Sequence, residues 1–150
     1  MKTGMKLACA AMVTALLSQG AWAQFKNDEE AVKYRQGAFL AMKIHFGRLG
    51  AMVQGKLPFD AEMAKRDAQL VATLSTMPWL GFTEGSEGLS KHAKAEIWME
   101  TQKFQDGARA LQDKTAALAT AAQSGDLDRI KAAFGATGKT CKACHDAFKQ

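Results

Sequence analysis

The repeat of apolar residues between positions 97 and 122 most constrains how this chain can fold. Apolar or small residues recur there at alternating spacings of four and three: Ile97, Thr101, Phe104, Ala108, Leu111, Thr115, Leu118 and Ala122. This spacing aligns one continuous stripe along a single long helix, as in the packed helices of a bundle. The stripe therefore predicts a bundle helix over about Ala95 to Gln123.

Cap residues, proline and glycine divide the rest of the chain into further helical segments. One runs from about Asp28 to Val53, and another follows an N-cap at Asp60 and reaches about Thr76. The residues along one side of this second segment are Met63, Leu70, Leu74 and Met77. A glycine-rich loop then extends from Pro78 to about Lys91.

The final segment begins after a cap at Asp126, and Gly135 and Gly138 suggest a local break within it. No segment combines strict alternation with β-branched residues, so strands are not expected. Four helices with short connections predict an all-α fold: one antiparallel up-down four-helix bundle.

The first 23 residues have the pattern of a cleaved export signal. Lys2 and Lys6 give a positive start, Leu7 to Leu17 is apolar apart from Thr14, and Ala21-Trp22-Ala23 has the small-x-small pattern that signal peptidase cuts. The apolar stretch is shorter than the roughly 20 residues needed to span a bilayer. We therefore predict a periplasmic protein, without a membrane anchor, whose mature domain covers residues 24–150.

Removal of this signal changes the charge and the cysteine content. Two lysines leave with it, which lowers the formal net charge from +5 to about +3. A charge this mild does not indicate a nucleic-acid partner. Cys9 also leaves, so Cys141 and Cys144 are the cysteines of the mature chain and structural disulfides are not expected.

The segment Cys141-Lys142-Ala143-Cys144-His145 carries most of the functional information. Two cysteines separated by two residues and followed by histidine form the attachment sequence for c-type haem. On a helix these three side chains project from one face. A redox dithiol expects a βαβ setting and a zinc site needs a fourth ligand. We expect one haem c per chain, bound covalently through Cys141 and Cys144, with His145 as an iron ligand.

The motif leaves the second axial position of the iron undecided. The candidate ligands are Met42, Met52, Met63, Met77, Met99, His45 and His92. Methionine readily fills irregular gaps in a core, which favours packing roles for the methionines. We expect His45 to be half-exposed on its helix and His92 to be solvated.

The mature chain resembles the cytochromes c′, a family that attaches haem near the C-terminus. The resemblance runs through residues 31–36, 45–48, 74–79, 96–98, 132–135 and 141–148. It implies a five-coordinate, high-spin haem with His145 as the only protein ligand. It also implies that an apolar side chain of the first helix, here Phe39, shields the other haem face.

The same resemblance places further residues around the haem. Arg35 and Gln36 would line its edge, where Arg35 could pair with a propionate; a solvated Arg35 is the alternative. Trp79 and Phe82 would form pocket walls, a role hardly different from core packing.

Two positions depart from the common pattern of the family. Phe39 stands where leucine or methionine is frequent, and should close the pocket more tightly. Lys149 stands where the family commonly has arginine, so the charge is kept but the planar fork of donors is lost.

These features favour a protein that binds small uncharged gases. The phenyl group at Phe39 offers no donor to bound oxygen, and the resemblance implies binding of nitric oxide and carbon monoxide, with electron transfer to an unknown periplasmic redox partner. The alternative is a dedicated electron carrier with a six-coordinate haem, for which Met42 is the most plausible ligand. No acid–base pair can be placed near Phe39, so an enzyme is not expected. The resemblance also implies a homodimer formed through the first two helices.

Overall fold

Residues 24–150 form four long α-helices, one short α-helical turn and two 3-10 turns in the loop after the second helix, Pro78–Gly81 and Glu84–Ser86. The computed structural model describes residues 24–150; the predicted export signal lies outside the described residues. The helices are α1 (Asp28–Val53), α2 (Ala61–Leu74), α3 (Glu96–Met99), α4 (Thr101–Gln123) and α5 (Leu127–Phe148). Between 24 and 150 there is no β-sheet, only an isolated bridge between Ala93 and Lys149. The all-α prediction is confirmed.

Side-chain caps fix where three of the long helices begin. Asn27 Oδ1 accepts a hydrogen bond from the backbone N–H of Glu30 at 2.9 Å, and Asp60 Oδ1 accepts one from Met63 at 2.9 Å. Asp126 Oδ1 accepts hydrogen bonds from the backbone N–H groups of Asp128 and Arg129. Each acceptor satisfies donors that the first helical turn leaves unpaired. The caps predicted at Asp60 and Asp126 are confirmed.

The helices pack in a ring around an apolar core. α2 packs against both α1 and α4, α4 packs against α5, and α1 also contacts α5. The core between the helices is formed by Met42, Leu49, Met52, Ala64, Ala68, Val71, Leu111, Leu118, Ala119, Ala122 and Ile130. The predicted stripe is buried from Phe104 to Ala122, whereas Thr101 at the start of α4 is exposed. The packing confirms the four-helix bundle.

Two details of the helices differ from the sequence prediction. The predicted third helix is divided at Glu100, whose φ of −112° and ψ of 49° are not helical. The break expected at Gly135 and Gly138 does not occur: α5 continues through both glycines. Thr137 between them is buried and donates to Lys114 O of α4 at 3.2 Å. Packing of this kind offsets the helix cost of a glycine, about 1 kcal/mol.

The predicted apolar side of α2 is only partly correct, because Met63 and Leu74 pack against the core but Leu70 does not. Ala64, Asp67, Ala68 and Val71 are buried, whereas Leu70 is 42% exposed. The small residues allow α2 to lie close to its neighbours. No helix within residues 24–150 is long and apolar enough to cross a membrane.

Candidate haem-attachment site

The last two turns of α5 present both cysteines of the motif and its histidine. Cys141 and Cys144 are half-buried and His145 is exposed. Cys141 packs against the core between the helices, whereas Cys144 packs against a second cluster formed by Ile97, Phe104 and Phe148. The helix therefore directs two thiols towards the interior and keeps the imidazole at the rim.

The environment sets the protonation of these three groups. Burial raises the pKa of the Cys141 thiol, and burial together with the neighbouring Cys141 raises that of Cys144. Reactive redox dithiols have lowered pKa values, so these thiols do not resemble that class. Desolvation and then the positive charge of Lys149 lower the pKa of His145, against a smaller opposing effect of Asp146. A lowered pKa favours the neutral imidazole, which is the form that binds a metal ion.

Six aromatic side chains from α1, α3, α4, α5 and the loop after α2 contact one another, and all but Phe39 belong to the same cluster as Cys144. We call them the aromatic cluster: Phe39, Trp79, Phe82, Trp98, Phe104 and Phe148. Phe39 contacts Trp79 at 5.8 Å and Phe82 at 6.3 Å between ring centroids, both edge to face. The cluster provides an apolar surface that extends from Phe39 on α1 to α5, the helix that carries the haem motif.

Arg35 is buried next to this cluster, with only 2% of its surface exposed. Its Nη1 donates to Gly81 O at 2.6 Å and to Ser86 Oγ at 2.6 Å, and its Nη2 donates to Ser86 O at 3.4 Å. The guanidinium carbon lies 4.5 Å from the Phe82 ring centroid. The solvated alternative for Arg35 is therefore wrong.

The buried charge of Arg35 has no carboxylate partner among residues 24–150. Desolvation lowers its pKa, as expected for a cation removed from water. A guanidinium carries five N–H donors, and the described hydrogen bonds use three of them. An anionic group such as a haem propionate would find both a charge and free donors here.

The structure brings together most of the predicted site residues but leaves Gln36 at the margin. Gln36 is exposed, and its Nε2 donates to Ser90 Oγ at 3.4 Å. Trp79 and Phe82 lie in the aromatic cluster, so each ring both packs in the core and can form a wall of the haem pocket. His45 is 25% exposed and His92 is exposed, as expected.

The residues present fit a covalently attached haem. They supply two thiols, an imidazole whose lowered pKa favours its neutral form, an apolar surface and a buried cation without a carboxylate partner in the described chain. A family model for cytochrome c′ matches residues 30–149. The chain belongs to the cytochrome c′ family. It therefore carries haem c bound covalently to the polypeptide.

Individual cytochromes c′ are similar to this one over nearly their whole length. The protein from Alcaligenes xylosoxydans xylosoxydans is 45% identical over 127 residues, which cover 85% of this chain and 98% of the relative. The crystal structure of cytochrome c′ from Rubrivivax gelatinosus has a TM-score of 0.81 and 42% identity, covering 85% of this chain and 100% of that one.

Other similar structures contain a ligand. One is the nitric oxide complex of a leucine-to-alanine mutant of the Alcaligenes xylosoxidans protein, which is 44% identical, has a TM-score of 0.79 and covers 85% of this chain and 98% of that one. The ligand belongs to that relative.

Several residues around this cytochrome c′ site escaped sequence reasoning. Trp98 and Phe104 complete the aromatic cluster, and Trp98 Nε1 donates to Thr83 O at 3.0 Å. Ser86 is fully buried and holds the Arg35 guanidinium. Phe104 belongs to the stripe on α4, which pointed to burial; nothing in the sequence marked Ser86.

Proposed function

We propose that this cytochrome c′ is an exported, non-enzymatic haem protein that binds nitric oxide, and also carbon monoxide, on a five-coordinate ferrous haem. The proposal rests mainly on one observation. Phe39, at the predicted distal position, packs against Trp79 and Phe82 and has no atom that can ligate iron. Nitric oxide bound to the similar protein from Alcaligenes xylosoxidans supports the choice of ligand.

Each side chain has a separate task in this proposal. Cys141 and Cys144 would hold the haem through two thioether bonds, and His145 would supply the only protein ligand. The haem supplies an iron atom with one coordination position open to a diatomic gas. Phe39 keeps water away from that position and offers no hydrogen-bond donor, which disfavours bound oxygen relative to nitric oxide.

Arg35 would fix the orientation of the haem edge. Its guanidinium lies over the Phe82 ring and is held by Ser86, and the donors that these contacts leave unused can pair with a propionate. Removing that charge from water costs free energy, and an anionic partner offsets the cost.

Met42 is the residue on which the alternative, a six-coordinate electron carrier, depends. It is 9% exposed and belongs to the core between the helices, together with Leu49 and Leu111. This packing supports the role of a core residue rather than a ligand.

The visible spectrum distinguishes these two functions. We expect the purified ferric protein to be high-spin and the ferrous protein to change its absorption on addition of nitric oxide. The matched variant Met42→Leu, which roughly preserves volume, should leave the ferric spectrum unchanged. A methionine-to-iron charge-transfer band that Met42→Leu abolishes would establish the carrier, and a ferrous protein unaffected by nitric oxide would exclude gas binding.

We also infer that two copies associate through α1 and α2. Leu40 and Ile44 lie one turn apart on α1 and are each 57% exposed, so α1 has an apolar side that the monomer does not bury. Leu40→Lys should shift sedimentation from dimer to monomer at micromolar concentration. Met99→Lys, at a residue 79% exposed on α3, is the control and should not. A wild-type monomer under these conditions would contradict the inference.

Export is part of the same proposal. If signal peptidase cuts after Ala23, the intact mass of the purified protein corresponds to a chain that begins at Gln24 plus one haem. In the same compartment an electron donor, whose identity is open, would keep the iron ferrous. A mass that retains the first 23 residues would contradict export.

A further inference from the structure

The segment before α3 is hydrogen-bonded to residues 148–150, at the end of α5 and three to five residues after His145. Lys94 N donates to Phe148 O at 3.1 Å, and Gln150 N donates to His92 O at 3.2 Å. Ala93 and Lys149 form the isolated antiparallel bridge of the described chain. A short two-stranded contact therefore closes over the C-terminal turn of α5.

The side chain of Lys94 reinforces this contact. Its Nζ donates to Asp146 O at 3.0 Å and to Ala147 O at 3.4 Å. These carbonyls belong to the last turn of α5 and have no partner further along the helix. A lysine at this end both satisfies them and interacts favourably with the negative end of the helix dipole.

Among residues 24–150, the side-chain hydrogen bonds at the end of α5 involve Lys94, Thr140, Lys142 and Asp146 but not the imidazole of His145. Histidine ligands are usually oriented by an acceptor bound to the second ring nitrogen. Without one, the direction of the His145 ring depends on the backbone of the turn that carries it. That turn is closed by the hydrogen bond from Lys149 N to His145 O at 3.0 Å.

The backbone conformation of Lys149 also depends on the contact with residues 92–94. It is the C-cap of α5, in an extended conformation with φ of −112° and ψ of 133°, and it pairs with Ala93. Its positive charge acts on His145. The contact thus fixes the backbone of His145 and the position of Lys149 together.

The geometry points to Lys94 as a positioning residue for the iron ligand: by capping the last turn of α5 it holds His145 and Lys149 in place. The inference rests on the proposed ligation of iron by His145, but not on nitric oxide binding. Lys94 touches neither the thiols nor the imidazole and is not part of the haem-binding machinery. It acts through the backbone carbonyls of residues 146 and 147.

The test compares Lys94→Met with Lys94→Arg in the full haem-loaded protein. Met keeps the length of the side chain but removes the donors and the charge, whereas Arg restores both. Lys91→Met is the matched control, because Lys91 is exposed in the same loop and makes none of the described side-chain hydrogen bonds. Lys94→Gln, with a neutral donor, serves if the Met variant does not fold.

Two measurements are made on each variant. In the ferric protein, amide hydrogen exchange of the segments 92–97 and 146–150 should become about tenfold faster in Lys94→Met, the effect of losing one charge-assisted hydrogen bond. In the ferrous protein without gas, the iron–histidine stretching band in the resonance Raman spectrum should shift or broaden. Lys94→Arg should restore the wild-type behaviour in both, and Lys91→Met should show it throughout.

The outcomes separate this inference from the assignment of the ligand. Unchanged exchange and an unchanged stretching band in Lys94→Met would overturn the positioning role, as would equal effects in Lys91→Met. An iron–histidine band absent from the wild type would instead refute ligation by His145.

Discussion

The replacement Phe39→Ala tests the distal wall, because this ring must affect both stability and access to the iron. Phe39 is partly buried and makes two edge-to-face contacts, with Trp79 and with Phe82. Replacing a fully buried phenylalanine by alanine costs about 3–5 kcal/mol. Since Phe39 is only partly buried, we expect a loss of about 2–3 kcal/mol in the free energy of unfolding.

The same replacement should make binding faster, although it makes the fold less stable. For a gas to reach the iron past this side chain, the ring must move off Trp79 and Phe82. Two aromatic contacts are worth about 1–3 kcal/mol together. If this energy is part of the barrier, Phe39→Ala should accelerate association of nitric oxide by about 5- to 150-fold.

Denaturation and stopped-flow mixing provide the two measurements. Thermal unfolding should occur about 8–12 °C lower in Phe39→Ala, and mixing the ferrous protein with nitric oxide gives the association rate. The matched control is Phe59→Ala, which makes the same chemical change at a residue 36% exposed and outside the aromatic cluster. Equal stability losses in the two variants would refute the packing argument, and equal rates would refute the distal position of Phe39.

Three further predictions follow from the packing and the charges. Gly81→Ala should destabilise the fold by about 1–3 kcal/mol, since a Cβ there would lie 2.5 Å from a carbonyl oxygen of α1. Burial alone would raise the pKa of Asp67, but hydrogen bonds and positive charge from Arg48 and His45 outweigh it and lower that pKa. The ionised Asp67 therefore stabilises the fold at pH values above the ordinary pKa of an aspartate, near 4. This stabilisation is lost as the pH falls through the lower pKa that Asp67 has in the folded protein. Cys144→Ala should leave a single thioether, detected as a haem that shows an altered absorption maximum and stays attached under denaturing conditions.

Each of these predictions has a control variant or an outcome that would contradict it. Gly37→Ala, at a helical glycine with open space around it, should be neutral or slightly stabilising, so equal losses at both glycines would contradict the close-approach argument. Asp67→Asn should unfold with a smaller dependence on acid than the wild type; an unchanged dependence would show that another carboxylate is responsible. A haem lost from Cys144→Ala on denaturation would mean that Cys141 forms no thioether.

Much of the fold was predictable because helices depend on local sequence. The stripe on α4 and the caps at Asp60 and Asp126 required only the helical period and the unpaired donors of a first turn. The errors arose where packing outweighed propensity. α5 passes through Gly135 without a break, and small residues rather than Leu70 form the buried side of α2.

The candidate site divides in the same way. Cys141, Cys144 and His145 are close in sequence, and one helical turn is enough to align them. The environment of Arg35 was not predictable, since its partners Gly81 and Ser86 lie 46 and 51 residues away. Sequence reasoning left this side chain undecided between a buried and a solvated position.

By itself the sequence indicated the four long helices and the haem-attachment motif, because each of these depends on residues within a few turns of one another. It also indicated the family, through short stretches of resemblance spread along the chain. Only the tertiary structure decided which groups surround the haem motif. It brought Phe39 into contact with Trp79 and Phe82, buried Arg35 without a carboxylate partner in residues 24–150, and placed Lys94 on the last turn of α5. Such contacts join residues far apart in the chain, and their energies arise only when the helices pack.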